Sequence, residues 1–223
     1  MFFEGQTQFN PEEMKIIKTL ESLPFRKMYS LGDKIDLLLM WSGLKPATDI
    51  TIGKDWEEGQ QSLSLSEEEI YSAKKKLSEN GFIFVDLPKE IGAIEGIDES
   101  ETEPSVKYRY EQKHFFVARD ETTAEALKNA YEKEDEIYGR LSGFPESAIK
   151  AYLEAEKNPT SLIEIKDLPE EIRTQDFMAF ATFKLSRKNW REELEVVKKW
   201  ADTIKKINPA LYEEAVKTYK EIS

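Results

Sequence analysis

The sequence predicts an α+β protein, predominantly helical, with a small antiparallel sheet and a C-terminal helical layer. Three observations carry this expectation. Residues 66–81 have the spacing of a capped amphipathic helix, two aromatic-rich runs at 82–85 and 106–117 read as pairing strands, and apolar residues recur every three or four positions from Trp190 to Ile207.

Taken in order, Asn10-Pro11-Glu12-Glu13 supplies a cap, a first-turn proline and acidic residues suited to the positive end of a helix. Ile16, Ile17 and Leu20 form its apolar face and Pro24 ends it. The run DLLLMW at 36–41 reads as a buried helical turn or short helix after Gly32-Asp33, stopped by Gly43 and Pro46. Ile50-Thr51-Ile52 suggests a brief strand or extended link, and the polar, Gly-interrupted stretch 56–64 a loop. Ser66 and Glu69 have capping-box spacing, Ile70, Ala73 and Leu77 share a face, and Asn80-Gly81 provides a left-handed exit. Residues 82–85 follow as a buried strand bounded by Asp86 and Pro88.

EGIDESETEPS at 95–105 is an acidic loop and the natural internal boundary. One compact unit over 1–223 is expected, with a division into an N-terminal α/β part, 1–94, and a strand-plus-helical part, 106–223, as the alternative. After the second strand, Thr122 or Thr123 caps a helix whose inner positions include Leu127, Tyr131, Ile137 and Tyr138. Pro145 opens another, with Ala148, Ile149, Tyr152 and Leu153 inside, and Asn158-Pro159 closes it. A short strand at 162–165, a turn at Pro169 and two C-terminal helices separated by Asn208-Pro209 complete the chain.

Composition narrows the chemistry. The chain has 223 residues, 39% of them apolar and 34% charged, enough core material for one large or two small domains. With no Cys there is no disulfide framework and no thiolate nucleophile, and with a single His no metal site using two imidazoles of one subunit. No metal and no cofactor are therefore expected. No window approaches eighteen consecutive apolar residues and the first residues lack a basic start, which predicts a cytoplasmic protein without a membrane segment. Glu and Lys usage resembles that of hyperthermophilic proteins.

Net charge is −12, which disfavours a general nucleic-acid coat, but the charge is uneven. Residues 1–100 hold 11 basic against 19 acidic side chains, whereas residues 173–223 hold 11 against 8. That count leaves room for a basic C-terminal face on an acidic body.

Each motif with chemical potential also has a plainer reading. The helix at 67–79 with the following strands has the order of a winged-helix module, with 86–105 as the wing, yet Glu67, Glu68 and Glu79 accompany Lys74, Lys75 and Lys76 and the wing is acidic. His114 is a candidate general base only if a carboxylate orients it, and Glu111 is too near in sequence to be assigned that part. The neighbouring acids Glu57-Glu58, Glu67-Glu68-Glu69, Asp98-Glu99 and Glu192-Glu193 read mainly as solvated surface. Gly143, Glu146 and Ser147, at a helix start, are candidate anion contacts, though Pro145 removes one donor. Lys184, Arg187, Lys188 and Arg191 around Trp190 are candidates for a nucleic-acid or protein partner, while Trp190 also begins an apolar helix face.

The segment IYGRLSGFPESAIKAYL at 137–153 resembles a largely archaeal protein family in which a Gly-Tyr-Pro or Gly-Phe-Pro step is followed by cysteines. A weaker similarity extends over 176–212, where relatives carry a later cysteine-bearing segment before a C-terminal helix. Gly143, Phe144 and Pro145 match the turn; Ser147 and Ala148 stand where relatives often have Cys, and FMAFATFKLSRKNW lacks thiols too. The resemblance implies a retained scaffold in which Ser147, Thr182 or Ser186 cannot reproduce metal or redox chemistry of thiols.

These readings favour a non-enzymatic interaction protein with a protein partner. A nucleic-acid-binding protein, winged-helix-like or basic-faced, an enzyme built around His114 and acids from other segments, and a homo-oligomer stay open.

Overall fold

The computed structural model describes residues 10–27, 29–95, 107–131 and 133–222. Helices α1 (Pro11–Ser22) and α2 (Ser30–Trp41) precede strand β1 (Ala47–Glu57). Helix α3 (Glu67–Glu79) leads into β2 (Ile83–Asp86), β3 (Glu90–Glu95) and β4 (Lys107–Ala118). Helices α4 (Glu121–Ala130), α5 (Asp135–Leu141) and α6 (Glu146–Ala155) follow, then β5 (Leu162–Ile163), α7 (Glu170–Arg173), β6 (Leu185–Ser186), α8 (Trp190–Ile207) and α9 (Pro209–Ile222). The fold is α+β, mostly helical, with two small antiparallel sheets.

The caps at α1 and α3 form as their spacing requires. Asn10 and Glu13, and Ser66 and Glu69, each make reciprocal side-chain-to-backbone bonds that satisfy two otherwise orphaned donors. Gly81 takes a left-handed φ of 75° just beyond α3, turning the chain into β2. Helix α2 starts earlier than its apolar run implies and takes in Gly32.

Strand β4 is the centre of the main sheet. β1 lies along one edge, from Ala47 opposite Ala118 to Glu57 opposite Tyr108. β2 and β3 occupy the other edge in succession, with Ile83 opposite Ala118 and Glu90 opposite Gln112. The expected pairing of 82–85 with the aromatic run is thus present. The brief link expected at 50–52 is instead an eleven-residue strand reaching into the predicted loop. Gly53 permits the close approach this needs, because a Cβ there would lie 2.4 Å from the Glu111 carbonyl oxygen. The outer edge of β1 is closed by Gly53 N–H to the Pro24 carbonyl (2.8 Å), Arg26 N–H to the Thr51 carbonyl (3.2 Å) and Thr51 N–H to Asp33 Oδ2 (2.8 Å).

Further departures concern side-chain direction and breaks. Within the expected buried run 82–85, Phe82 is buried but Ile83 is exposed. Asp120, not Thr122 or Thr123, caps α4 by accepting the Thr123 N–H at 2.9 Å. The single helix expected across Leu127 and Tyr138 is two, α4 and α5. The acidic stretch 95–105 falls, beyond Glu95, outside the described residues.

The main core joins Ile16 and Leu20 of α1, Leu37–Met40 of α2, Ile50 and Ile52 of β1, Leu77 of α3 and Phe115 of β4 to the α8 stripe and to Val216 of α9. Trp190, Leu194, Val197, Ala201, Ile204 and Ile207 are all buried, as their periodicity predicts. A second cluster forms where Ala124 and Leu127 of α4 cover Ala47, Phe116 and Ala118 on the other face of the sheet.

Candidate recognition site around helix α6

The Gly-Phe-Pro step builds the junction between α5 and α6. Gly143 has φ 75°, and a Cβ there would stand 3.1 Å from the Leu44 carbonyl oxygen, so the turn rests directly on the chain before β1. Gly139 is buried against Ile149, whose Cγ1 would be 3.0 Å from an added Cβ. Pro145 occupies the N-cap position of α6. That helix buries Ala148, Ile149 and Ala151, whereas Tyr152 and Leu153, expected inside, are 47% and 38% exposed.

Two cavities flank α6. One, of about 330 Å³, is walled by Tyr138, Gly139, Phe144, Ile149, Tyr152 and Phe183, with Asp135 and Lys184 among its lining residues. The sequence motif at 137–153 supplies most of these walls. The other, of about 460 Å³, carries the polar side chains of Ser147, Lys150, Glu154, Thr160, Arg187, Lys188 and Asn189, among others, on a lining that also exposes apolar surface.

Beneath Ser147 and Ser186 lies Glu193, a buried carboxylate on α8. Its Oε1 accepts the hydroxyls of Ser147 (2.6 Å) and Ser186 (2.5 Å), and its Oε2 accepts the Ser186 N–H (2.7 Å). Ser186 Oγ in turn accepts the Asn189 N–H at 3.0 Å. Helices α6 and α8 and strand β6 are thereby locked to one carboxylate. Its acidic neighbour suggests solvated surface for Glu193, yet the residue lies three positions after Trp190 and four before Val197, on the buried stripe of α8.

The predicted site residues divide. Glu146 is engaged by Arg140 at 2.5 and 3.1 Å, and that guanidinium holds its carboxyl below its ordinary range. Gly143 faces the Leu44–Lys45 backbone, so Gly143, Glu146 and Ser147 do not converge on one point. Among the basic residues, Arg187 and Lys188 reach the polar groove and Lys184 lines the apolar cavity. Arg191 stacks its guanidinium 4.1 Å from the Trp190 ring, and that indole is buried. Lys150 of α6 joins Arg187 and Lys188 and was not singled out from the sequence.

His114 does meet an acid from a different segment. Its Nε2 is 3.5 Å from Asp49 Oδ2, a distance that permits electrostatic attraction but only a long hydrogen bond. The Tyr138 hydroxyl donates to Asp49 Oδ1 at 2.7 Å. Burial pushes the Asp49 carboxyl up, but His114 and Tyr138 together hold it below its usual value. Asp33 is different: burial, with Asp49 and Asp36 nearby, pushes its carboxyl up to about 8 despite the bond from Thr51 N–H. Asp36 is paired with buried Lys45 at 2.6 Å. His114 packs edge-on to Tyr131, with ring centroids 5.4 Å apart, and lines neither cavity beside α6. Glu111 is buried and meets Lys89 at 2.7 Å, taking no part with His114.

The cations of α3 have partners within the fold. Lys74 pairs with Asp86, Lys76 donates to the Ser22 carbonyl, and Lys75 lies 3.9 Å from Glu79. Asp98 and Glu99, with the second half of the supposed wing, 96–105, lie outside the described residues.

No described helix is long and apolar enough to cross a membrane, and among the described residues no group of three or more His, Asp or Glu side chains is placed to hold a metal ion. Comparison with protein-family models, with curated proteins and with solved structures gave no match.

Proposed function

We propose that the chain is a non-enzymatic recognition protein that binds an acidic segment of a partner protein in the polar groove beside α6. What supports this reading is the meeting of Lys150 with the adjacent Arg187 and Lys188, far along the chain from it, around one groove of a protein whose net charge is −12. A local cationic groove on an acidic body selects anionic partners and repels misdirected ones. Arg187 donates its Nε–H to the Thr160 carbonyl at 2.9 Å, which orients the guanidinium fork. A fixed guanidinium suits a carboxylate, which it can grip through two parallel bonds.

An acidic polypeptide fits better than nucleic acid. None of the residues lining that groove is aromatic, so it offers no stacking surface for bases, and Trp190 within the basic run is buried. The resemblance of 137–153 fits the same reading: Ser147 and Ser186, at or near positions where relatives carry thiols, are used to hold Glu193 and serve the scaffold.

Fluorescence anisotropy with a short fluorescein-labelled Glu/Ser peptide tests the proposal, with a labelled single-stranded oligonucleotide as the competing probe. The peptide is expected to bind at low salt, to weaken as salt rises, and to lose about tenfold or more in affinity in the triple variant K150E/R187E/K188E. No peptide binding at low salt, tighter oligonucleotide binding through the same residues, or specific turnover of a metabolite would overturn it.

A further inference from the structure

The two cavities lie on opposite sides of one helix. Ala148, Ile149 and Tyr152 line the apolar one, while Ser147, Lys150 and Glu154 line the polar one, an arrangement that follows from 3.6 residues per turn. Between them the solvent-facing ridge of α6 carries Leu153, an exposed apolar residue.

The apolar cavity is ready-made for a ring. Phe144 and Phe183 stand 5.5 Å apart at an interplanar angle of 36°, and Phe183 is held edge-on against buried Trp200 at 5.7 Å. Fixed aromatic walls lose little entropy on binding, and aromatic side chains are the usual anchors of protein interfaces. Lys184 and Asp135 both line the cavity, so the preference for an acidic sequence context comes from Lys150, Arg187 and Lys188 across α6.

We propose that this cavity is the anchor pocket for the same acidic partner segment. A Phe, Tyr or Trp side chain of the partner enters beside Phe144 and Phe183, and acidic residues farther along cross α6 to Lys150 and Arg187. The inference rests on the recognition reading above and adds a spacing to it. A helix with its side chains is about 10–12 Å across and an extended chain advances about 3.3 Å per residue, so about four residues separate anchor and acids.

Three labelled peptides decide the matter by anisotropy: the Glu/Ser peptide, the same peptide with one Trp about four residues from its acidic cluster, and one with Trp adjacent to the cluster. The four-residue spacing is expected to tighten binding about tenfold relative to the other two. Thr182→Trp, which fills the mouth of the cavity from an exposed position, removes that gain and leaves the Trp-free peptide's affinity unchanged; Tyr152→Ala reduces the gain. Equal binding of all three peptides, or a gain untouched by both variants, overturns the anchor pocket while the acidic groove stands. Absence of binding by every peptide overturns both.

Discussion

The Ser147 hydroxyl donates to Glu193 Oε1 at 2.6 Å, tying the first turn of α6 to the first turn of α8 across 46 residues of chain. The same carboxylate accepts two bonds from Ser186, and its residue is only 1% exposed. Removing it strands buried donors, and that cost exceeds the net worth of any one bond.

Glu193→Ala is therefore expected to destabilise the protein by about 2–4 kcal/mol in urea unfolding. Ser147→Ala, which leaves Glu193 its two Ser186 donors, costs about 1 kcal/mol. Equal losses in the two variants would contradict the shared-carboxylate arrangement.

Asp33 predicts a pH dependence of definite sign. Its folded pKa is raised to about 8 from an ordinary 3.8, so the folded state holds the proton more tightly. That contribution is full below the unfolded pKa and is lost as pH rises from about 4 to about 8. The stability of the wild type relative to Asp33→Asn should fall by a few kcal/mol over this window and level off above it. Asp49, held below its usual value, acts oppositely: its contribution is present above the unfolded pKa and is lost in acid. Chemical denaturation of both proteins across pH, in one buffer series, measures the difference.

Gly53→Ala should cost about 1–3 kcal/mol by forcing β1 away from β4, since the clash is with the backbone oxygen of Glu111 and no side chain can swing aside. Hydrogen exchange should report weakened protection on β1 first, at the residues beside 53.

Tyr138→Phe removes the 2.7 Å bond to Asp49 and is expected to cost about 1 kcal/mol. Loss of that donor also raises the Asp49 titration midpoint, which carboxyl NMR can follow. An unchanged midpoint would mean that Tyr138 does not govern this carboxylate.

Elements governed by near neighbours were legible in the sequence. The capping boxes at Asn10 and Ser66, the left-handed Gly81 and the α8 stripe all depend on residues within one or two turns. β1 is longer than its sequence suggests because Thr48, Asp49, Thr51 and Asp55 interrupt its apolar pattern, and the partners of Asp49 and Asp55 come from other segments. Asp55 receives Arg26, whose Nε lies 2.6 Å away, and the Thr51 backbone is bound by Asp33 and Arg26. Glu193 was legible in principle, since its position on the buried stripe of α8 was already in the spacing.

The amino-acid order by itself determined the caps of α1 and α3, the α8 core stripe, the aromatic strand and the exclusion of thiol chemistry, because these follow from local geometry or from composition. Tertiary packing alone decided that Lys150 meets Arg187 and Lys188, that Asp49 reaches His114, and that the Gly-Phe-Pro segment walls an aromatic cavity. Such meetings join residues far apart in the chain, and which of them come together is fixed by the burial of the intervening apolar faces, a property no short window of sequence contains.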